Sequence, residues 1–154
     1  MPYEKIAYEL KGDIAIIKFN TPENLNACSI ETAIEMLHAL EIAADQARCT
    51  VLTGEGRGFS SGANLSPGGS DGGRGLATHY NPLVQALRDH PHPVITAVNG
   101  VAAGVGCSLA LMGDLIIAAK SAYFLQAFRN IGLVPDGGST WLLPRTIGRV
   151  RAME

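Results

Sequence analysis

Residues 94–98, Val-Ile-Thr-Ala-Val, stand between Pro93 and the Asn99-Gly100 pair. A run of β-branched and small residues with almost no polar alternation suits a strand covered on both faces, and such strands belong to parallel sheets flanked by helices. The chain turns at Asn99-Gly100, and Gly104-Val105-Gly106 then opens a stretch of small and apolar residues, 107–112, with the composition of a buried helix. This strand–turn–helix unit argues against an all-helical or purely antiparallel fold. It also accounts for the nearest approach to a membrane span, residues 94–112, because Thr96, Asn99, Gly100, Gly104, Gly106 and Ser108 interrupt the apolar run.

The flanking sequence extends the same pattern. Residues 6–10 and 14–19 surround Lys11-Gly12-Asp13 and read as a hairpin. Thr21-Pro22-Glu23-Asn24 ends it, and Ser29 is placed to cap a helix carrying Ile30, Ile34, Leu37, Ala39, Leu40 and Ala44 at helical spacing. Residues 49–53 read as a short strand, 54–58 as a loop, and 66–75, rich in Gly, Ser and Pro, as a low-complexity mobile loop. Pro82 suits the first turn of a helix reaching about Asp89, which Pro91-His92-Pro93 stops. Short strands at 115–118 and 123–125, a loop at 132–138, a short helix at 139–143 ended by Pro144, and the beginning of a helix at 149–154 complete the reading. Strands alternating with helices through short connections predict an α/β fold with mostly parallel strands.

Composition narrows the function classes. A chain of 154 residues, 47% hydrophobic, accommodates about one domain with a real core. Charged residues make up 17%, below the roughly 25% of an average soluble domain, so much of the surface is expected to be covered by core or by another subunit. Twelve Lys and Arg against fourteen Asp and Glu leave a net charge of −2 with no basic run, so neither nucleic acid nor a membrane surface is an expected partner. Residues 1–10 lack the apolar centre and small-residue cleavage site of a secretory signal. Cys28, Cys49 and Cys107 are odd in number and far apart, which reads as free thiols in a reducing compartment, with a cytoplasmic location expected and no metal site.

Two glycine-bordered loops each follow a strand and precede a helix: Ser60-Ser61-Gly62-Ala63-Asn64 and Gly104-Val105-Gly106. Each can present a backbone N–H without an intrahelical acceptor, and two such donors aimed at one oxygen form an oxyanion hole. The same glycines equally serve close helix–strand packing. Nucleotide phosphate binding is disfavoured, since Gly104-Val105-Gly106-Cys107-Ser108-Leu109 lacks the third glycine of GxGxxG and no GxxxxGK[ST] occurs. Asp136, inside Gly132-Leu133-Val134-Pro135-Asp136-Gly137-Gly138, has two readings: a desolvated carboxyl able to shuttle protons near neutral pH, or a cap on the N–H groups of Gly138 and Ser139. Asp114 reads as structural, bonding turn amides between a helix and a strand. His38, His79, His90 and His92 lack metal-site spacing, no G-x-S-x-G elbow surrounds any serine, and the lone Trp141 reads as core.

Asn24-Leu25-Asn26-Ala27, residues 58–65 (Gly-Phe-Ser-Ser-Gly-Ala-Asn-Leu), residues 93–104 and residues 132–138, in that order, resemble the crotonase (enoyl-CoA hydratase/isomerase) superfamily over essentially the whole chain. The resemblance implies a spiral of ββα turns, of which this chain is the N-terminal core at 1–148, with 149–154 starting a truncated C-terminal helical, trimer-forming region. It implies an acyl-CoA thioester as partner, coenzyme A as part of that substrate with no separate cofactor, and a homo-trimer or dimer of trimers. Oxyanion-hole donors carried over are the Ala63 and Val105 N–H groups, and substrate-binding positions are Glu23, Asn24, Leu25, Ala27, Gly62, Asn64, Leu65 and Gly104. The two glutamates of the family's hydratases fall at Ser108 and Phe128, where this chain has no carboxylate. Residues 133–136 and 138–145, with 80–84, resemble the phenylacetate-pathway ring 1,2-epoxyphenylacetyl-CoA isomerase branch, and Asp136 falls where family isomerases place their acid. The resemblance thus implies an acyl-CoA isomerase acting through Asp136, the alternatives being an enoyl-CoA hydratase or an inactive acyl-CoA-binding scaffold.

Overall fold

The computed structural model describes residues 2–64 and 75–154. Strands β1 (Ile6–Lys11) and β2 (Ile14–Phe19) pair antiparallel, with Lys11 opposite Ile14 across a tight turn in which Gly12 takes a left-handed φ of +58°. β2 pairs in parallel with β3 (Cys49–Gly54), β3 with β5 (Val94–Val98), and β5 with β7 (Leu115–Ala118), giving the order β1-β2-β3-β5-β7. A second sheet contains β4 (Gly58–Ser60), β6 (Val101–Ala103) and β8 (Tyr123–Leu125), all parallel. Three strands of the large sheet, β3, β5 and β7, are each followed within a few residues by a strand of the small sheet. That alternation is the spiral of ββα turns.

Helix α1 (Ile30–Gln46) is capped by Ser29, whose side chain accepts the Thr32 N–H while Thr32 bonds back to the Ser29 amide. It is followed by α2 (Asn81–Arg88), α3 (Val105–Ala110), α4 (Ser139–Ile147) and α5 (Arg149–Met153). A π-helical turn, Leu76–Tyr80, leads into α2, and a 3-10 turn, Ala127–Ile131, follows β8. The core fills the space where α1 and α2 pack over the strands, with Phe19, Phe59, Ile17, Met36, Leu52, Leu83 and Leu109 fully buried.

Several expectations are corrected. Residues 54–58 are not wholly loop, because Gly58 begins β4, and β6 lies where only a turn was expected. The helix expected to open at Gly104-Val105-Gly106 begins there, at Val105, but ends at Ala110 rather than Met112. α4 does not end at Pro144 but passes through it to Ile147. On α1 the buried face is Thr32, Ala33, Met36, Ala39, Leu40 and Ala43, whereas Ile34 is 49% exposed. Trp141 is 54% exposed rather than core. In β5, Val94, Thr96 and Val98 are buried while Ile95 and Ala97 are only partly covered. The low-complexity segment lies outside the described residues, except Gly75 at its end.

Candidate functional site

The two glycine-bordered loops press against each other. Gly62 has φ +100°, and a Cβ there would stand 2.7 Å from the Ala103 carbonyl oxygen; Gly104 has φ +52°, and a Cβ there would stand 3.9 Å from the Gly62 Cα. At Gly62 only a residue without a side chain lets β6 run this close to the segment after β4, while at Gly104 it is the left-handed φ that favours glycine. Ala63 forms a parallel bridge with Cys28, in which the Cys28 N–H donates to the Gly62 carbonyl at 2.7 Å and the Asn64 N–H to the Cys28 carbonyl at 3.0 Å. Alternation along an extended chain turns the Ala63 N–H to the opposite side. Val105 is the first residue of α3, so its N–H has no acceptor within the helix. Among the described residues neither amide has a hydrogen-bond partner.

Ala63 and Val105 both line one cavity of about 190 Å³, together with Gly62, Gly104, Phe128 and Asp136, with Ile131 and Leu133 on its apolar wall. Asp136 is its only titratable group among the described residues. The carboxyl Oδ1 is buried and has no hydrogen-bond partner among the described residues. Burial raises the protonation midpoint of Asp136 above the usual carboxylate value, against a smaller opposing pull from its own backbone N–H. The capping alternative is corrected: Gly138, not Asp136, is the N-cap of α4, and the Ser139 N–H donates to the Asp136 main-chain carbonyl at 3.0 Å. The carboxyl is therefore left to the cavity.

The remaining expected site residues separate into different places. Gly62 and Gly104 line the Asp136 cavity. Glu23, Asn24, Ala27 and Asn64 border a polar cavity of about 410 Å³ together with Lys5 and Glu31. Leu25 faces a third cavity beside Arg57, Asn99 and Tyr123. Leu65 lies outside the described residues. The 3-10 turn contributes Phe128 and Ile131, of which only Phe128 was singled out; their i, i+3 spacing is the signal that would have found Ile131.

The loop at 24–28 is laced to the segment at 60–64. The Ser61 N–H donates to the Leu25 carbonyl at 2.9 Å and the Ser60 hydroxyl to the Asn26 carbonyl at 2.8 Å. Buried Tyr80 donates its hydroxyl to the Cys28 carbonyl at 2.6 Å. Burial, with Cys28, Asp136 and Glu31 nearby, drives its phenol midpoint upward, so it stays a neutral donor. The backbone behind Ala63 is thus held from two sides. Asp114 accepts the Val94 N–H at 2.8 Å and so fixes the start of β5 rather than a turn amide. His38, His90 and His92 hydrogen-bond to Tyr3, Thr50 and the Ala44 carbonyl. The cysteines are free, and burial pushes the Cys28 thiol up to about 12 and the Cys107 thiol up to about 11. Among the described residues no helix is long and apolar enough to cross a membrane.

Comparison with known proteins bears on this frame. The family model for enoyl-CoA hydratase/isomerase matches residues 9–154. A Rhodobacter capsulatus protein named probable enoyl-CoA hydratase is 47% identical over 99% of this chain and 61% of its own length. The 1,2-epoxyphenylacetyl-CoA isomerase of Escherichia coli K12 is 46% identical over 97% of this chain and 61% of its own length. The crystal structure of an enoyl-CoA hydratase from Mycobacterium avium subsp. paratuberculosis superposes with a TM-score of 0.90 at 37% identity, covering 99% of this chain and 62% of that one. The chain therefore spans about three fifths of the length of the relatives it matches. With two sheets wound as in that structure and a family match over nearly all its residues, the chain belongs to the enoyl-CoA hydratase/isomerase, or crotonase, family.

Proposed function

We propose that the Asp136 cavity is the active site of an acyl-CoA isomerase. The carrying observation is a carboxyl, buried at Oδ1, that shares a small apolar cavity with Ala63 and Val105, Oδ1 and both backbone N–H groups having no hydrogen-bond partner among the described residues. Asp136 in its carboxylate form takes a proton from the carbon next to the thioester carbonyl. The electron pair moves onto the carbonyl oxygen, where the Ala63 and Val105 N–H groups stabilise the enolate. The protonated Asp136, whose acid proton exchanges with solvent, delivers a proton to a carbon further along the acyl chain, and the double bond shifts between them. One carboxylate suffices because no water is added or lost. With a ring epoxide in the acyl group, the same enolate chemistry supports rearrangement of the ring. The bound part of the substrate outside the cavity is a coenzyme A chain running past Glu23, Asn24, Ala27 and Asn64, and the assembly is a homo-trimer.

A hydratase reading has less support. Addition of water across the double bond needs a second acid or base, and Phe128 closes the cavity where one would stand, 6% exposed and apolar. The test is proton exchange in D₂O with 3-hexenoyl-CoA, followed by NMR. Deuterium incorporation and bond migration are expected for the wild type, falling by about 10²-fold or more in Asp136→Asn, the range for loss of a general base. Exchange that survives the substitution removes Asp136 from the mechanism. Hydrated product in place of migrated product returns the site to the hydratases, and acyl-CoA binding without exchange makes the protein a binding scaffold.

A further inference from the structure

Behind Asp136 lies a buried chain of hydroxyls that the proposed reaction does not use. Ser108 and Ser139 are 0% and 1% exposed. The Ser108 hydroxyl donates to the main-chain carbonyl of Asp136 at 3.0 Å and hydrogen-bonds to the Ser139 hydroxyl; the Gly104 carbonyl lies farther off, at 3.5 Å. The Gln126 side-chain amide donates to the Ser139 oxygen at 3.1 Å and to the Cys107 sulfur at 3.3 Å. A carbonyl can only accept, so the Ser108 proton points at Asp136 and the Ser139 proton must point at Ser108. The chain of donors therefore runs one way, from Gln126 through Ser139 and Ser108 to Asp136. It ends on the peptide carbonyl rather than on the carboxyl, which makes it a clamp and not a proton wire.

The clamp joins two parts of the site. Ser108 sits one turn after Val105 on α3, so it fixes the Asp136-Gly137-Gly138 turn to the helix that carries the Val105 N–H. The fit is close: Gly137 has φ +57°, and a Cβ there would meet Ser108 Cβ at 2.8 Å. The Asp136 carbonyl receives a second bond, from the Ser139 N–H. With the carbonyl held by both, rotation of the peptide unit that would swing the carboxyl toward solvent breaks two hydrogen bonds at once.

We infer that Ser108, supported by Ser139 and Gln126, is a positioning residue that holds the Asp136 carboxyl in the cavity at a set place relative to the Val105 N–H. The inference rests on Asp136 being the proton shuttle, and its test separates the two. The probe is 3-hexenoyl-CoA isomerisation by the full chain over a range of pH, with 13C titration of the Asp136 carboxyl in the substrate-free protein. Ser108→Ala is expected to lower kcat by about 10- to 100-fold with KM within about twofold, as for loss of preorganisation. It should also shift the acid limb of the rate profile and the carboxyl titration to lower pH, because a released carboxyl regains water. Ser108→Cys, which keeps a weak donor in place, should fall between the two. A destabilised but correctly built site would lose rate without moving the limb or the titration, and that result overturns the inference; so does an unchanged Ser108→Ala. If Asp136→Asn keeps full exchange, the shuttle reading fails, and the carboxyl titration still decides whether Ser108 holds the group. Should Ser108→Ala not fold, Ser139→Ala carries the same test, with a smaller downward shift expected and no shift overturning the inference.

Discussion

The ionised form of Asp136 gives up water at Oδ1 and recovers no hydrogen bond for it from the described residues. Its protonation midpoint is therefore higher in the folded chain than the usual 3.8. Linkage then sets a direction: the group's contribution to stability is fully present below the usual value and is lost as pH rises through the raised folded value. Above that window the folded state carries an unfavourably placed charge. Asp136→Asn, which is neutral at every pH and of the same shape, should accordingly melt at a higher temperature than the wild type at neutral pH. The difference should vanish once the pH is well below 3.8. Thermal denaturation of the two proteins at both pH values checks this, and equal melting temperatures at neutral pH would show that the carboxylate finds a partner in solution. The expected gain in stability accompanies the loss of exchange proposed above, the usual relation where a reactive group is held in surroundings that disfavour its charged form.

At the scale of elements, Asn26 does what no periodicity announces. Leu25 and Asn26 both adopt left-handed backbone, at φ +57° and +58°. The fully buried Asn26 side chain accepts the Thr21 N–H at 3.0 Å and donates to the carbonyls of Glu55 at 2.9 Å and Gly58 at 2.8 Å. It thus ties the loop before α1 to the connection between β3 and β4. Asn26→Ala should cost about 3 kcal/mol in chemical denaturation, since three backbone groups lose a buried partner, and a loss below about 1 kcal/mol would mean that water replaces the amide. The same scale explains what could be read in advance. β1, β2, α1 and β5 were legible because period and capping act over five or more residues, as in the Ser29 cap and the run at 94–98. β4 and β6 have three residues each, too few for alternation to register, and both adjoin glycines that read as turns. The α1 face was misassigned because Ile34 outranks Ala33 and Ala43 in hydrophobicity, while close packing on the sheet selects the small side chains. In the site, the Asp136 loop and both amide loops were visible from glycine spacing. The Ser108 clamp was not, because it depends on α3 and the turn before α4 meeting across 28 residues of sequence.

For the whole molecule the decisive feature is a surface. β7 ends the five-stranded sheet and β8 the three-stranded one, and among the described residues no strand pairs with either outer edge. Leu115 is 60% exposed, Ile117 63% and Tyr123 56%, while Phe124 and Leu125 are exposed as well. Ile131, Leu133, Val134 and Trp141 continue the exposed apolar surface along the chain. Unpaired strand edges flanked by such side chains are templates for pairing with another chain, and the charged residues that commonly guard an edge are absent from the sequences of β7, Leu-Ile-Ile-Ala, and β8, Tyr-Phe-Leu. The 154-residue chain should therefore self-associate, with a sedimentation coefficient that rises with concentration at low salt and at high salt alike, because burial of apolar area is not screened. Placing lysine on both edges, as Ile117→Lys with Leu125→Lys, adds a charge that pairing would have to desolvate. The double variant should remain monomeric at concentrations where the wild type assembles, with the Asp136 cavity intact because neither residue lines it. Sedimentation velocity on the two proteins decides the matter: a wild type that stays monomeric throughout would show that these edges do not pair, and association unaffected by the lysines would place the contact on the 131–141 surface instead.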